Sequence, residues 1–278
     1  MKIALALAGG GIRGAAHIGV IKALGEEGFE ISAISGTSSG SIIAALFSMG
    51  YTADEMIKLF RYFSKRIVGI SPKHIYSNIR EVKGFTIGGL TSSKALEDIV
   101  NEAGKFKGIK NIKDIKLPIA IPATDLIQDR EIIFTNCEKM EGNEYISDIE
   151  IGKAVRASST FPCFYAPFEY KDYQFVDGGL FENVPIKQAK KLNNDKIIAV
   201  KFKYETPKKQ KSMYNILMHS LDLMTERINN KTLEPWDFTI ELNLEDTKIF
   251  NTKKIDFCYS QGYIQTKKNI NEIKNNLK

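Results

Sequence analysis

The sequence has few cysteines and few histidines, and both shortages narrow the chemistry open to it. Its 278 residues include three cysteines, Cys137, Cys163 and Cys258, which lie far apart. An odd and scattered set gives neither a disulfide framework nor the C-x-x-C spacing of a zinc site. We therefore expect reduced thiols and a cytoplasmic location. Neither an H-E-x-x-H pattern nor a cysteine–histidine cluster is present, so we expect no bound metal and no cofactor.

No stretch of the sequence approaches the roughly 18 consecutive apolar residues of a membrane-spanning helix. The apolar start, residues 1–8, is short and is followed by glycines and a basic residue, so it fits a buried parallel strand better than a signal peptide. Lysine and arginine outnumber aspartate and glutamate by 39 to 33, which gives a net charge of +6. This surplus is compatible with anionic partners such as lipid head groups or nucleic acid, and a solvated lysine-rich surface also explains it.

Strand and helix patterns alternate along the chain and predict an α/β protein. In the first 50 residues they run strand (3–8), glycine loop, helix (15–25), strand (31–34), sharp turn and helix (41–49). This alternation indicates a parallel sheet with helices packed on it. Residues 64–89 contain glycine and proline breakers and are expected to be irregular, as a flap over a site would be. Further strands are expected at 117–125, 130–136, 196–203 and 237–244, and further helices at 93–103, 148–157, 212–229 and from about 256.

The turn after the second strand carries a candidate nucleophile. Gly36-Thr37-Ser38-Ser39-Gly40 fits the pattern G-x-S-x-G, with an apolar strand before it and a helical run after it. This is the context of a nucleophile elbow, in which glycines allow a tight turn and leave the serine hydroxyl exposed beside a helix N-terminus. Ser38 is therefore the expected nucleophile.

A glycine run between the first strand and the first helix is a candidate anion cradle. It reads Gly9-Gly10-Gly11-Ile12-Arg13-Gly14. Backbone N–H groups in such a loop can hold the negative oxygen of a tetrahedral intermediate. A nucleophile and an anion cradle, both on strand-to-helix turns, make acyl transfer the leading hypothesis.

A serine nucleophile needs a base, and the histidines are poor candidates. His17 follows the glycine loop and is expected to pack in its helix, His74 is expected at the surface, and His219 lies on a helix among apolar residues. A carboxylate is the better candidate. Asp177 stands between a strand and Gly178-Gly179, where unusual backbone angles can aim a side chain into a site. The aromatic stretch before it, residues 161–175, is expected to be extended and to line a pocket.

Taken together, these segments resemble the patatin-like phospholipase family. The glycine run matches its G-G-G-x-R-G block, the Ser38 turn matches G-x-S-x-G, and Asp177-Gly178-Gly179 matches D-G-G/A, all in the family's order. The helix start 15–20, the segment Arg156-Ala157-Ser158-Ser159 with Phe161-Pro162, and Asn183-Val184-Pro185 resemble secondary blocks. The resemblance covers about residues 1–203. Ala8 and Ser41 depart from the residues many members carry, but both are small.

The resemblance implies a single three-layer domain with a mostly parallel central sheet, and a Ser–Asp dyad without histidine. Ser38 would attack an ester carbonyl, Asp177 would take its proton, and the amides of Gly9, Gly10 and Gly11 would hold the oxyanion. Water activated by Asp177 would then release the fatty acid. Burial would raise the Asp177 pKa into a useful range for a base. Supporting or substrate-binding roles are implied for Arg13, Gly14, Gly36, Gly40, Gly178 and Gly179; for Arg13 a structural ion pair is an equal alternative.

The implied partner is a lipid ester, with peripheral contact to an anionic membrane surface and no nucleic acid. Lysines supporting such contact cluster at Lys208, Lys209 and Lys211 and at Lys253, Lys254, Lys267 and Lys268. Residues 1–203 are expected to form the catalytic core, and 204–278 a helix–strand–helix extension packed on the same domain. The sequence does not specify the ester, the positional preference or the oligomeric state.

Three other functions stay open at this point. The glycine run also spells G-x-G-x-x-G, the fingerprint of a dinucleotide-binding domain, but that fold wants an acidic residue at the end of its second strand, and Glu30 precedes the strand instead. An α/β-hydrolase with a Ser-Asp-His triad would use His219, although its elbow usually follows several strands. A non-catalytic lipid-binding domain is the third alternative, against which Ser38 and Asp177 argue.

Overall fold

The apolar start of the chain forms the central strand of the sheet. In the computed structural model, β1 (Lys2–Leu7) lies between β2 (Glu30–Gly36) and β8 (Lys196–Phe202) and pairs in parallel with both. Its side chains alternate, so that the large ones, such as Leu5 and Leu7, pack into one apolar cluster and the alanines pack into another. The predicted buried parallel strand is confirmed.

The structure describes residues 1–68, 93–140, 142, 144–162, 164–192, 195–203, 216, 219–220, 223–224, 227, 237–245 and 247–277. The predicted flap therefore lies largely outside the described residues, together with His74, Cys163, Lys208, Lys209 and Lys211. Of the helix predicted at 212–229, only six positions are described, and these are helical.

Within the described residues the sheet has nine strands and is mostly parallel. The main path runs β5-β4-β3-β2-β1-β8-β9, and β7 joins it by pairing with β3 and β6. The antiparallel pairs are β3 with β4, β3 with β7 and β6 with β7. The remaining strands are β3 (Ile119–Asp125), β4 (Arg130–Thr135), β5 (Tyr145–Ile146), β6 (Phe168–Tyr170), β7 (Tyr173–Asp177) and β9 (Phe238–Leu242).

Helices cover both faces of the sheet and give three layers. One face packs the larger apolar cluster against α1–α5 and α7, and the other packs small residues such as Ala4 and Ala199 against α6. The helices are α1 (Ala15–Glu26), α2 (Ser39–Ser48), α3 (Ala53–Val68), α4 (Lys94–Phe106), α5 (Ile151–Ser158), α6 (Ile186–Leu192), α7 (Ile255–Lys268) and α8 (Ile270–Asn276). The predicted α/β class and layered architecture are confirmed. None of the helices in the described part of the chain is long and apolar enough to cross a bilayer.

One boundary predicted from the sequence is wrong. Residues 64–68 were expected to be irregular, yet they belong to α3. The Ser64 hydroxyl donates a hydrogen bond to the Phe60 carbonyl one turn earlier, at 2.7 Å. That bond, together with the buried Phe60 and Phe63 rings, explains why a serine here does not end the helix.

Described residues after position 203 join the same sheet and the same helical layer. Strand β9 pairs in parallel with β8, and α7 packs across α1. The two helices approach closely because both carry glycine at the crossing. A Cβ on Gly262 would lie 2.0 Å from the Ala16 carbonyl oxygen, and one on Gly19 would lie 2.2 Å from that of Tyr259. This crossing fixes α1, and with it the glycine loop that precedes α1.

Candidate active site

Ser38 occupies a strained turn between β2 and α2. Its backbone has φ 53° and ψ −121°, a region that residues with side chains rarely adopt. The flanking glycines make the turn possible because other backbone atoms lie too close to them to leave room for a side chain. A Cβ on Gly36 would lie 2.3 Å from the Gly40 carbonyl oxygen, and one on Gly40 would lie 2.3 Å from that of Leu7. The Ser38 side chain is half-buried at the N-terminus of α2.

Three side-chain hydrogen bonds hold this turn. The Ser38 N–H donates to Ser158 Oγ at 3.0 Å, and Ser41 Oγ donates to the Ser38 carbonyl at 2.6 Å. One residue earlier, Thr37 Oγ1 donates to the Glu182 carbonyl at 2.8 Å. Because these partners lie on α5, on α2 and in the loop after β7, three separate parts of the fold fix the position of Ser38.

Asp177 ends β7 and points into the same pocket as Ser38. Strand β7 pairs with β3 so that Asp177 lies opposite Ala123, and β3 in turn lies beside β2. The Asp177 N–H donates to the Thr160 carbonyl at 3.0 Å, and Asp177 Oδ1 accepts the Gly179 N–H at 2.8 Å. Gly178 allows the backbone of β3 to pack closely against it, since a Cβ on Gly178 would lie 2.3 Å from the Pro122 carbonyl oxygen.

Burial makes Asp177 more basic than an ordinary carboxylate. Removal from water raises its pKa to about 6, while the Ser38 hydroxyl and the Gly179 N–H act in the opposite direction. Among the described residues, Asp177 Oδ2 has no partner of full hydrogen-bond geometry, so the contact with Ser38 is looser than a formed hydrogen bond. With this pKa the carboxyl group is mostly ionised at neutral pH and can accept a proton.

The glycine loop lines the same pocket, but its three amides differ. The Gly9 N–H donates to the Asn183 carbonyl at 3.1 Å, so it is already occupied. The Gly10 and Gly11 N–H groups have no acceptor among the described residues. Ser39 begins α2, and the first N–H groups of a helix lack intrahelical acceptors. The N–H groups of Gly10, Gly11 and Ser39 therefore have no acceptor among the described residues, whereas that of Gly9 is occupied.

Arg13 also lines the pocket and supports the glycine loop. Its Nε donates to the Gly10 carbonyl at 3.2 Å, and its guanidinium lies 5.3 Å from the centre of the Phe202 ring. Because carbonyl and N–H of a trans peptide point in opposite directions, this bond turns the Gly11 N–H away from Arg13. Gly14 completes the arrangement, since a Cβ there would lie 2.8 Å from Ser39 Cβ and would separate α1 from α2.

The pocket is mainly apolar and has a volume of about 170 Å³. Its buried apolar lining residues include Ile42, Phe60, Phe63 and Leu96, and its half-buried ones include Phe161, Pro162, Tyr165, Leu180, Ile249 and Phe250. A cavity with apolar walls and a few convergent polar groups is typical of a small-molecule site. Its apolar walls, with Ser38 among them, suit a hydrocarbon chain whose polar end reaches Ser38.

No histidine of the described chain lines this pocket. His17 is buried beneath the glycine loop, where Nε2 lies 2.8 Å from the Ala8 oxygen and burial lowers the pKa to about 4. It is therefore neutral and packs against Phe202, with 4.9 Å between ring centres. His219 is half-buried in a helical stretch elsewhere. The expected packing role of His17 agrees with this placement.

Two of the lysines considered for membrane contact are engaged in ion pairs. Lys267 pairs with Glu27 and Glu26, and Lys254 Nζ lies 3.6 Å from Glu245. These pairs neutralise part of the positive surface that the sequence indicates.

Comparison with known proteins identifies a family. Residues 5–190 match the family model described as patatin-like phospholipase. An uncharacterized NTE family protein of Mycobacterium tuberculosis is 28% identical over 199 residues, which is 72% of this chain and 48% of that protein. A probable lipid hydrolase of Invertebrate iridescent virus 6 is 30% identical over 200 residues, covering 69% of this chain and 64% of that one. The chain thus spans about half the length of the first of these relatives.

The fold is also found among solved structures. VipD from Legionella pneumophila superposes with a TM-score of 0.53 over 98% of this chain and 67% of its own, at 14% sequence identity. At that identity the likeness concerns the fold alone.

Proposed function

The chain belongs to the patatin-like phospholipase family, and from that premise we propose that it is a lipid acyl hydrolase of phospholipase A or lysophospholipase type. The observation that carries the proposal is the strained Ser38 turn, which faces a buried carboxylate and two unoccupied loop amides in one apolar pocket. The description of the viral relative as a probable lipid hydrolase supports the substrate class.

In the first half of the proposed reaction, Ser38 Oγ attacks the carbonyl carbon of the ester. Asp177 takes the hydroxyl proton as the bond forms and then gives it to the leaving alcohol oxygen. The tetrahedral oxyanion accepts hydrogen bonds from Gly10, Gly11 and Ser39, which the fold holds in place before the substrate arrives. The products are an acyl-Ser38 ester and a free alcohol, for example a lysolipid.

In the second half, water attacks the acyl-Ser38 ester. Asp177 takes a proton from that water and returns it to Ser38 Oγ, so the fatty acid leaves and the enzyme is restored. The apolar walls limit the water around Asp177, which keeps its pKa raised. The elevated basicity lets Asp177 act without a histidine, and the described part of the pocket holds none.

We propose the lipid ester as the partner, with weak and salt-sensitive contact to an anionic surface in addition.

The boundary between a core of residues 1–203 and an extension of residues 204–278 is likewise proposed. The pairing of β9 with β8 and the packing of α7 on α1 support an extension that is part of the same domain. A Ser-Asp-His triad is disfavoured because the described part of the pocket holds no histidine.

The proposal is tested by labelling the purified protein with a fluorophosphonate probe and by assaying a panel of lipid esters for fatty-acid release. We expect covalent labelling of Ser38, identified by peptide mass spectrometry, and release from at least one phospholipid or lysophospholipid. A protein that is neither labelled nor active on any ester would be a non-catalytic binding domain instead.

The pH dependence of kcat/KM follows from the Asp177 pKa of about 6. A base works only when deprotonated, so we expect kcat/KM to fall by close to tenfold per pH unit below that value and to be level above it. The measurement is hydrolysis of p-nitrophenyl butyrate between about pH 4.5 and 8.5, with folding monitored by circular dichroism at each pH. A level profile down to pH 4.5 would exclude Asp177 as the base.

Ser158 is expected to be a positioning residue for Ser38. Removing the acceptor of the Ser38 N–H in Ser158→Ala should lower kcat by about tenfold, the equivalent of one hydrogen bond, and leave KM nearly unchanged. Ser48→Ala is the control, because Ser48 makes a comparable bond, to the Ala45 carbonyl, at the far end of α2. Equal kcat values for the two variants would show that the Ser158 bond does not matter for catalysis.

A further inference from the structure

Among the described residues, two from beyond the region that matches the family model reach into the pocket. The match ends at residue 190, yet Ile249 and Phe250 line the pocket beside Ser38 and the glycine loop. They lie in the connection between β9 and α7. No sequence motif marks them, so their place in the site follows from the fold alone.

Ile249 is in direct backbone contact with the glycine loop. Its carbonyl accepts the Ile12 N–H at 2.9 Å. Gly11 has φ +60°, and a Cβ there would lie 2.3 Å from the same carbonyl oxygen, so only glycine permits the approach. The connection that carries Phe250 is thus fastened to the loop that holds the proposed oxyanion donors.

Phe250 forms part of the outer wall of the pocket. Its ring stacks on Phe164 with 4.1 Å between centres and 29° between planes, and Phe164 lies 6.0 Å from Phe161. Phe250 and Phe161 both line the cavity and both are half-buried, whereas the residues of α2, α3 and α4 that line it are buried. Side chains from two distant parts of the sequence therefore make one aromatic wall near solvent.

We propose that Phe250 is a specificity-determining residue that binds the acyl chain of the substrate and favours long chains over short ones. This rests on the proposed function, because it takes the pocket to be the acyl site. A short acyl group on Ser38 occupies the region between the glycine loop and Asp177. A long chain extends along the apolar walls, and each further methylene that leaves water for such a wall adds to binding. The Phe164 stack holds the Phe250 ring in place for that contact.

The experiment compares Phe250→Ala and Phe250→Leu with the wild-type protein. Phe257→Ala is the matched control, because Phe257 is a half-buried phenylalanine on the adjoining helix α7 and does not line the pocket. The first readout is the ratio of kcat/KM for p-nitrophenyl palmitate to that for p-nitrophenyl butyrate. The second is the Kd of cis-parinaric acid, a fluorescent long-chain fatty acid, which needs no catalysis.

We expect Phe250→Ala to lower the palmitate-to-butyrate ratio at least about tenfold and to weaken cis-parinaric acid binding by a similar factor. Phe250→Leu, which keeps an apolar side chain, should lower the ratio and weaken the binding by about threefold each. Phe257→Ala should change each by less than twofold. A ratio and a Kd within twofold of wild type in both Phe250 variants would overturn the inference. If Phe250→Ala does not fold, the leucine variant decides in the same way.

The two readouts separate this inference from the proposed function. If the wild-type protein hydrolyses no ester, the proposed function fails, and cis-parinaric acid binding alone decides whether Phe250 contacts an acyl chain. If the wild-type protein hydrolyses esters and both the chain-length ratio and the Kd are unchanged in the Phe250 variants, the function stands and the role of Phe250 is refuted.

Discussion

Ser38→Ala is expected to abolish ester hydrolysis, lowering kcat by about 10⁴-fold or more, and to abolish fluorophosphonate labelling. The reason is chemical: alanine cannot form the acyl-enzyme, so the reaction loses its covalent route. The change removes one oxygen from a half-buried position and should leave the thermal midpoint close to that of the wild type. The measurement is release of p-nitrophenol and of fatty acid by purified variants of equal thermal stability.

The neighbouring serine provides the control. Ser39 also lines the pocket, and its buried hydroxyl has no hydrogen-bond partner among the described residues. In the proposed mechanism only the backbone N–H of Ser39 takes part, so Ser39→Ala should keep kcat within a few-fold. Activity that survives in Ser38→Ala and disappears in Ser39→Ala would refute the assignment of the nucleophile.

Asp177→Asn is expected to lower kcat by about 10³-fold or more while making the protein more stable at neutral pH. Asparagine keeps the shape and can still accept the Gly179 N–H through its oxygen, but it cannot take a proton from Ser38. His219→Ala should lower kcat much less. Asp125→Asn is the control, because Asp125 is another buried aspartate, on β3, that lies outside the pocket. Loss of activity in His219→Ala with full activity in Asp177→Asn would establish a triad.

The stability gain follows from the pKa. The folded state raises the Asp177 pKa from 3.8 to about 6, so it binds the proton more tightly than the unfolded chain. Stability is therefore lost as the pH rises from about 4 through 6, by about 3 kcal/mol at most when the carboxylate is fully ionised. Asparagine avoids that loss. Urea unfolding at pH 7.5 and pH 4 should show Asp177→Asn to be more stable than wild type at the higher pH and nearly equal at the lower.

Much of the site is predictable from the sequence because backbone geometry limits which residues can occupy it. The turn at Ser38 needs glycine on both sides because neighbouring backbone leaves no room for a Cβ. The loop before α1 needs glycine at position 11 because Gly11 has a positive φ. Such requirements are visible in the sequence as glycines at particular positions. The same reasoning found Asp177 through Gly178, whose backbone lies against Pro122.

The remainder depends on contacts between residues far apart in the chain. The sequence cannot indicate that the Gly9 amide is taken by Asn183, because that bond arises only once the loop after β7 packs beside β1. Ile249 and Phe250 are ordinary apolar residues without a motif, and their place follows from how β9 and α7 are joined. Ser158 lay within a recognised segment, but its bond to the Ser38 N–H is a property of the packed α5.

The contact between Ile249 and the glycine loop joins two parts of the chain that the ribosome makes at different times. Roughly 240 residues separate Gly11 from Ile249. Strand β1 likewise cannot pair with β8 until β8 has been made. At about 5–20 residues per second, the ribosome needs roughly 10–50 s to make that stretch. A nascent chain therefore carries Ser38 long before it carries the carbonyl that fastens the loop. We expect unfinished chains to be catalytically silent, so that lipids near the translating ribosome are not hydrolysed.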